Sequence, residues 1–216
     1  MLLSPLQRFW HYHRLHGSTA TLGRLKSALH RIGYAGKNVL FVCELPVPQN
    51  ENRFSTGVLE RKSNLAALKP EDVERIVSPA DPTASRRRMN ERFAAQAELW
   101  LLRCQGVIAA FGWTIKGRTM EPHFVPLTPR DVHLFDFFVF PEFRGRGLNP
   151  SLVSQILEAI SHENLSKAFI EAAAWNHPQL SSLKKTPFRR LGEARKFQFG
   201  KKPVVLWSRR EVKAGE

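Results

Sequence analysis

The sequence predicts an α/β (α+β) fold, in which helices flank a mixed and mostly antiparallel central sheet. Two observations carry that reading. The stretch "LWLLRC-QG-VIAAFGWTI" is a pair of apolar runs joined by Gln105-Gly106, the pattern of an antiparallel hairpin. Past Pro141 the period turns helical, with Leu148, Leu152, Val153, Ile156, Leu157 and Ile160 on one stripe. That helix lies between the aromatic run "DVHLFDFFVF" and a second strand pattern, "KAFIEAAAW". A strand, a helix and a strand beside a hairpin make a mixed sheet.

The elements follow in chain order. Residues 1–57 read as a basic N-terminal extension holding a helix and a short strand, and 58–216 as the main domain. In the extension Leu22, Leu25, Leu29 and Ile32 share one helical stripe, with Thr19 or Thr21 to cap it and Gly33 to end it. "NVLFVCEL" (38–45) reads as a short buried strand, and 46–57 as a polar connector. "VLERKSNLAAL" holds a strand, and "KPEDVERIV" opens a helix with Pro70 and two acids in its first turn. A second helix starts at about Thr83. After the hairpin come a loop, the aromatic strand over 131–140 and the helix that follows the turn. "HPQLSSLKK" is a short helix, and "RKFQFGKKPVVLWSRR" closes the chain as a hairpin around Gly200.

Composition narrows the class. With 216 residues, 43% of them hydrophobic, the chain fills one domain with a real core. No apolar run reaches the length that crosses a bilayer, and the start is a poor signal peptide, so the expected place is the cytoplasm. Cys43 and Cys104 are far apart and no Cys/His metal spacing occurs, so neither a structural zinc nor a disulfide framework is expected. Lys and Arg number 33 against 19 Asp and Glu, a net charge of +14, which favours an anionic partner. The first 43 residues carry six of those bases and no acid, which suits docking on the main domain or contact with anionic lipid at the inner face of a membrane.

The informative junction is "FFVFPEFRGRGLNPSLV" (137–153). Arg144-Gly145-Arg146-Gly147 stands between a strand and a helix. Consecutive backbone N–H groups in such a turn form a concavity for an anion, and the helix N-terminus adds about half a positive charge. Asn149 would cap the helix and Pro150 would take its first position. The arginines add direct hydrogen bonds to phosphate. A pyrophosphate is the natural occupant, yet neither the dinucleotide-binding nor the P-loop spacing is present.

The stretch resembles the acyl-CoA-binding motif of the GCN5-related N-acetyltransferase (GNAT) superfamily, Arg/Gln-x-x-Gly-x-Gly/Ala after a strand ending in Val-x-Pro-Glu. Here Val139-Phe140-Pro141-Glu142-Phe143 leads into Arg144-x-x-Gly147-x-Asn149, with Asn149 where the family prefers Gly or Ala. Asn176, Lys185 and Phe188 continue the likeness downstream, Pro187 replacing the usual glycine. It covers roughly residues 58 to 209. The resemblance implies a sheet splayed between its fourth and fifth strands, about 131–140 and 167–174, with pantetheine in the gap. It implies that the backbone of Phe138, Val139 and Phe140 pairs with pantetheine amides. It implies that Arg144, Gly145, Arg146, Gly147 and Asn149 hold the pyrophosphate, and that Asn176 meets pantetheine.

Acyl transfer to an amine needs a neutral amine, a donor for the oxyanion and an exit for the thiolate. Asp136 is the first candidate to handle the amine, because a carboxylate inside "LFDFFVF" reads as a buried charge with a task. His133, a base suited to neutral pH, is the second, and Glu171 a third that holds a relayed water. The family's usual tyrosine acid has no counterpart: Leu183 stands at its place, and Ser181, Ser182, His177 or water are the substitutes. His162 and Glu163 are expected at a solvated helix end.

The leading expectation is an acyltransferase: an acetyl-CoA-dependent N-acetyltransferase, acetyl-CoA its co-substrate without a metal, acting on a small or carbohydrate-linked amine. Three others stay open: transfer of a longer acyl group from acyl-CoA or an acidic carrier protein, a non-catalytic CoA-binding module, and a nucleic-acid binder resting on charge alone. The "RGRGL-x-P" form after an aromatic strand resembles bacterial family members linked to surface polysaccharide or lipid synthesis, which implies an amino-sugar acceptor. The acceptor itself and the oligomeric state have no readable motif.

Overall fold

Eight strands form one sheet in the computed structural model, which describes residues 34–48, 57–77, 80–120, 126–199 and 202–209. The strands are β1 (Tyr34–Glu44), β2 (Val58–Lys62), β3 (Glu98–Cys104), β4 (Val107–Lys116), β5 (Asp131–Val139), β6 (Lys167–Ala173), β7 (Arg189–Phe199) and β8 (Lys202–Arg209). The helices among the described residues are α1 (Pro70–Ile76), α2 (Pro82–Ala94), α3 (Leu148–Ile160) and α4 (His177–Leu183). The helix expected over 22–32, most of the 46–57 connector and the turn at Gly200 lie outside the described residues.

Across the sheet the order is β2-β3-β4-β5-β6-β1-β7-β8, antiparallel except where β5 meets β6. That parallel pairing runs from Asp131↔Lys167 to Leu134↔Ile170 and stops, so the two strands part beyond Leu134. They are the fourth and fifth across the sheet, where the splay is expected.

One strand sits where the sequence reading did not put it. β1, taken from the expected extension, is an interior strand between β6 and β7, with Leu40 facing Glu171 on one side and Gly192 on the other. Its apolar run explains the place: Val39 to Cys43 are all buried, as a strand covered on both faces requires.

Two helical layers cover the sheet. α3 lays Leu152, Val153, Ile156, Leu157 and Ile160 on one face against Val132, Leu134 and Ile170. α1 and α2 cover the other, where Met89, Leu99, Leu101 and Trp113 cluster. Local chemistry starts each helix. Pro70 opens α1 with Glu71 and Asp72 in its first turn, and the Asp81 side chain accepts from Ala84 N–H at 3.0 Å to cap α2. Asp72, 4% exposed, is a buried acid held by the Arg103 guanidinium at 2.6 Å.

The start of α3 corrects the expected cap. Gly147, not Asn149, is the N-cap residue, with φ +71, and Asn149 and Pro150 are the second and third helical residues. The left-handed glycine turns the chain directly into the helix, so no capping side chain is needed. Glu163 also differs. It is not at a solvated end but between Arg61, to which it is hydrogen-bonded, and Lys116 Nζ at 2.6 Å. Burial alone would raise its carboxyl, but the Lys116 and Arg61 hydrogen bonds outweigh that and hold it below the usual range.

Candidate active site

The fork in the sheet and the turn after β5 make one site. β5 ends at Val139, a single 3-10 turn covers Pro141–Phe143, and the chain reaches Gly145 at φ +77 and Gly147 at φ +71. A Cβ on either glycine would meet nothing within 4 Å, so both stand open; what fixes glycine there is the left-handed backbone. Helix geometry leaves the N–H groups of Leu148 and Asn149 without intrahelical acceptors, and Ser151 N–H is the first to pair, with Gly147 C=O at 3.2 Å. The turn therefore offers donors at the positive end of α3.

Beside it lies a cleft of about 480 Å³, walled by the end of β5, the start of α3 and α4. Of the residues expected to hold the cofactor, Phe138, Val139 and Asn176 border this cleft, as do Arg144, Gly145, Gly147 and Asn149. Two do not. Arg146 is turned back, its Nη2 donating to Glu142 C=O at 3.2 Å and its guanidinium 5.4 Å from the Phe143 ring. Phe140 has its backbone committed: its N–H donates to Ala109 C=O at 3.0 Å and its C=O accepts from Phe143 N–H at 2.9 Å. Its N–H is thus paired within the fold, and its C=O carries one of the two bonds a carbonyl can accept.

The cleft wall has its own order. Asn149 Nδ2 donates to Gln179 Oε1 and to Ser182 Oγ, each at 2.8 Å, so its side chain ties α3 to α4 rather than reaching for phosphate. Its Oδ1 is buried without a hydrogen-bond partner, an acceptor that fits a ligand N–H and not a phosphate oxygen. Asn176 caps α4, its side chain accepting from Gln179 N–H at 3.2 Å. Leu183 is fully buried in the core, whereas Ser181 and Ser182 border the cleft.

Ahead of the turn, α1 holds the loop in place. Arg75 Nε donates to Ile108 C=O at 2.8 Å and Nη2 to Glu142 Oε1 at 2.6 Å, and its guanidinium lies 4.1 Å from the Phe140 ring. The Glu142 carboxyl is held below its ordinary value by its own backbone N–H and then by Arg75.

The three catalytic candidates do not form one group. His133 and Glu171 come together, Nε2 to Oε2 at 3.4 Å, where β5 and β6 are about to part, and the His133 ring stacks on Phe135 at 5.6 Å. Asp136 stands apart and is not buried: its side chain is 52% exposed and pairs with Arg92 Nη2 at 2.6 Å. A β-bulge is the reason. Trp113 faces Phe135 and Phe111 faces Phe138, so the single residue Gly112 lies opposite both Asp136 and Phe137. Asp136 is the extra residue, at φ +52, lifted out of the strand's alternation and out of the core.

Sequence reasoning missed Arg92, Gln179 and Gly112. Arg92 looks like any helix-surface base, and Gln179 has no neighbour in sequence that explains it. Gly112 did leave a signal: an isolated glycine in an apolar strand marks a bulge or a close approach.

Among the described residues no cluster of His, Cys, Asp and Glu has the makings of a metal site, and no helix is long and apolar enough to cross a membrane. No curated protein matches the chain. Solved structures share its fold at low identity. A GCN5-related N-acetyltransferase from Sphaerobacter thermophilus aligns with TM-score 0.54 at 11% identity, over 90% of this chain and 57% of that one. A GNAT-family acetyltransferase from Novosphingobium aromaticivorans aligns with TM-score 0.51 at 16% identity, over 82% of this chain and 66% of the other. Another from Colwellia psychrerythraea gives TM-score 0.51 at 11% identity, over 86% and 62%. This chain thus spans less than two thirds of the length of each. The family model described as "Acetyltransferase (GNAT) family" matches residues 67–185, from α1 through the fork and the glycine turn to the end of α4. Since that match takes in more than half of the sequence, the chain belongs to the acetyltransferase (GNAT) family.

Proposed function

We propose that the protein is an acyl-CoA-dependent N-acyltransferase of the cytoplasm, with acetyl-CoA as donor and a primary amine of a small or carbohydrate-linked molecule as acceptor. The observation that carries this reading is the turn Arg144–Gly147, whose two left-handed glycines open onto the 480 Å³ cleft at the N-terminus of α3. Pyrophosphate oxygens suit the N–H groups of Leu148 and Asn149 with Arg144 beside them. Asn149 Oδ1, a buried acceptor on the same wall, suits a pantetheine amide.

On this reading the amine nitrogen attacks the thioester carbonyl carbon. The new C–N bond forms, the C–S bond breaks, the amine proton passes through water to the Glu171 carboxylate, whose side chain is 22% exposed, and the thiolate leaves into water. The buried His133, its Nε2 3.4 Å from Glu171 Oε2, backs that carboxylate from within the sheet. Asp136 is better suited to positioning α2 through Arg92 than to proton transfer, because its carboxylate is already paired. Leu183 lends no proton, so the thiolate departs unprotonated or takes one from solvent.

The test is direct. Acetyl-CoA should raise the melting temperature by mass action and give saturable heat on titration, and Gly147→Val should abolish both while the protein stays folded. Absence of any response to acetyl-CoA, longer acyl-CoAs and CoA would reject the reading.

A further inference from the structure

From the contact between Gly112 and Phe137 we infer that this pair sets how long an acyl chain the cleft admits, a reading that rests on the proposed acyl-CoA function. The bulge puts Gly112 of β4 opposite Phe137 of β5, both on the sheet face that carries α3. A Cβ built on Gly112 would lie 2.5 Å from Phe137 Cε1 and 2.6 Å from its Cδ1. Carbon atoms do not approach so closely, so the Cδ1–Cε1–Cζ edge of the ring occupies space that any other residue's Cβ would fill. Phe137 also borders the cleft.

Position along β5 gives the ring its task. The strand runs from Phe137 through Phe138 and Val139 to the phosphate turn, and of these Phe137 is farthest from the turn. With a pyrophosphate at the turn, the thioester end of an acyl-CoA points back along β5 toward Phe137. The ring then forms the floor against which the acyl group ends. Because it leans onto Gly112, it leaves room for a short acyl group; because it is a phenyl ring, it stops a long one. Phe137→Ala removes the floor. Gly112→Ala forces the ring up off the strand and into the cleft.

Calorimetric titration of the full chain with CoA, acetyl-CoA, butanoyl-CoA and hexanoyl-CoA tests this without an acceptor. The parent protein should bind acetyl-CoA more tightly than hexanoyl-CoA. Phe137→Ala should shift the ratio of the two Kd values toward hexanoyl-CoA by about tenfold or more, the discrimination a few methylenes give in an apolar pocket, while CoA itself binds as before. Gly112→Ala should weaken acetyl-CoA, and Gly112→Ala with Phe137→Ala should restore it. Should Gly112→Ala fail to fold, the Phe137→Ala ratio decides. An unchanged ratio in Phe137→Ala, with CoA still bound by both proteins, overturns the inference and leaves the acyl-CoA function standing. Failure of the parent to bind any CoA compound overturns that function instead.

Discussion

His133 Nε2 and Glu171 Oε2 lie 3.4 Å apart on neighbouring parallel strands, at the last rungs before β5 and β6 separate. His133→Gln should lower turnover by roughly 10²–10⁴ and leave CoA affinity unchanged. Glu171→Gln should lower turnover on the same scale, and the double variant should cost little more than either single one, because the two groups act as a unit. Initial rates on the three variants check this, and additive losses, or unchanged turnover in Glu171→Gln, remove the pair from the chemistry.

Asp136 makes a backbone prediction as well as an electrostatic one. The Asp136 side of its ion pair with Arg92 is half exposed, so Asp136→Asn should cost no more than about 1 kcal/mol of stability. Its left-handed φ of +52 should matter more. Asp136→Val should be less stable than Asp136→Gly by about 1–2 kcal/mol, because a Cβ branch collides with the following carbonyl there. Denaturant unfolding of the three variants makes the comparison.

The two arginines of the turn should separate. Arg144 Nε donates to Val139 C=O at 3.2 Å and its side chain borders the cleft, so Arg144→Ala should weaken acetyl-CoA by about 1–3 kcal/mol. Arg146 is folded back on Glu142, so Arg146→Ala should weaken it less. Equal losses in calorimetry would mean that Arg146 swings round to the phosphate on binding.

Glu163 should contribute to acid stability. Its pKa in the folded chain lies below its ordinary value of 4.5, so its contribution is present above pH 4.5 and is lost as pH falls through the lower folded value. Glu163→Gln should therefore be less stable than the parent at neutral pH, and the gap should close as the pH falls through the lowered folded value. Melting temperatures measured from pH 3 to 7 would show a constant gap if Glu163 were not linked to folding.

Leu183 should behave as core and not as a site. Leu183→Ala should destabilise by about 2–5 kcal/mol, and Leu183→Tyr should destabilise too rather than raise turnover, because a fully buried position has no room for a ring. A faster Leu183→Tyr enzyme would show that the side chain reaches the thioester.

Regular elements were legible because their signals are local. The Gln105-Gly106 hairpin, the α3 stripe and Pro70 at the start of α1 lie where period and turn chemistry put them. The glycine turn was legible for the same reason: its residue types suit only a few backbone shapes. What the sequence hid was set by partners far along the chain. Asp136 reads as buried only if β5 alternates without interruption, and the bulge that frees it shows in the pairing with β4. Asn149 reads as a cap until Gln179 and Ser182, about thirty residues on, claim its amide. β1 reads as a short strand of an extension, because nothing within Tyr34–Glu44 names β6 and β7 as its neighbours.

β2 to β5 follow one another as neighbours, each able to pair with the strand made just before it. β1 is different, for its partners are Lys167–Ala173 and Arg189–Phe199, more than a hundred residues later. During synthesis this strand leaves the ribosome early, with both edges and both apolar faces exposed, and stays so until most of the chain has followed. Such distant closure makes folding slow and the waiting strand prone to association. A fragment begun at residue 58 would lack the strand that joins β6 to β7, and the sheet would end at β6 with the closing hairpin cut loose.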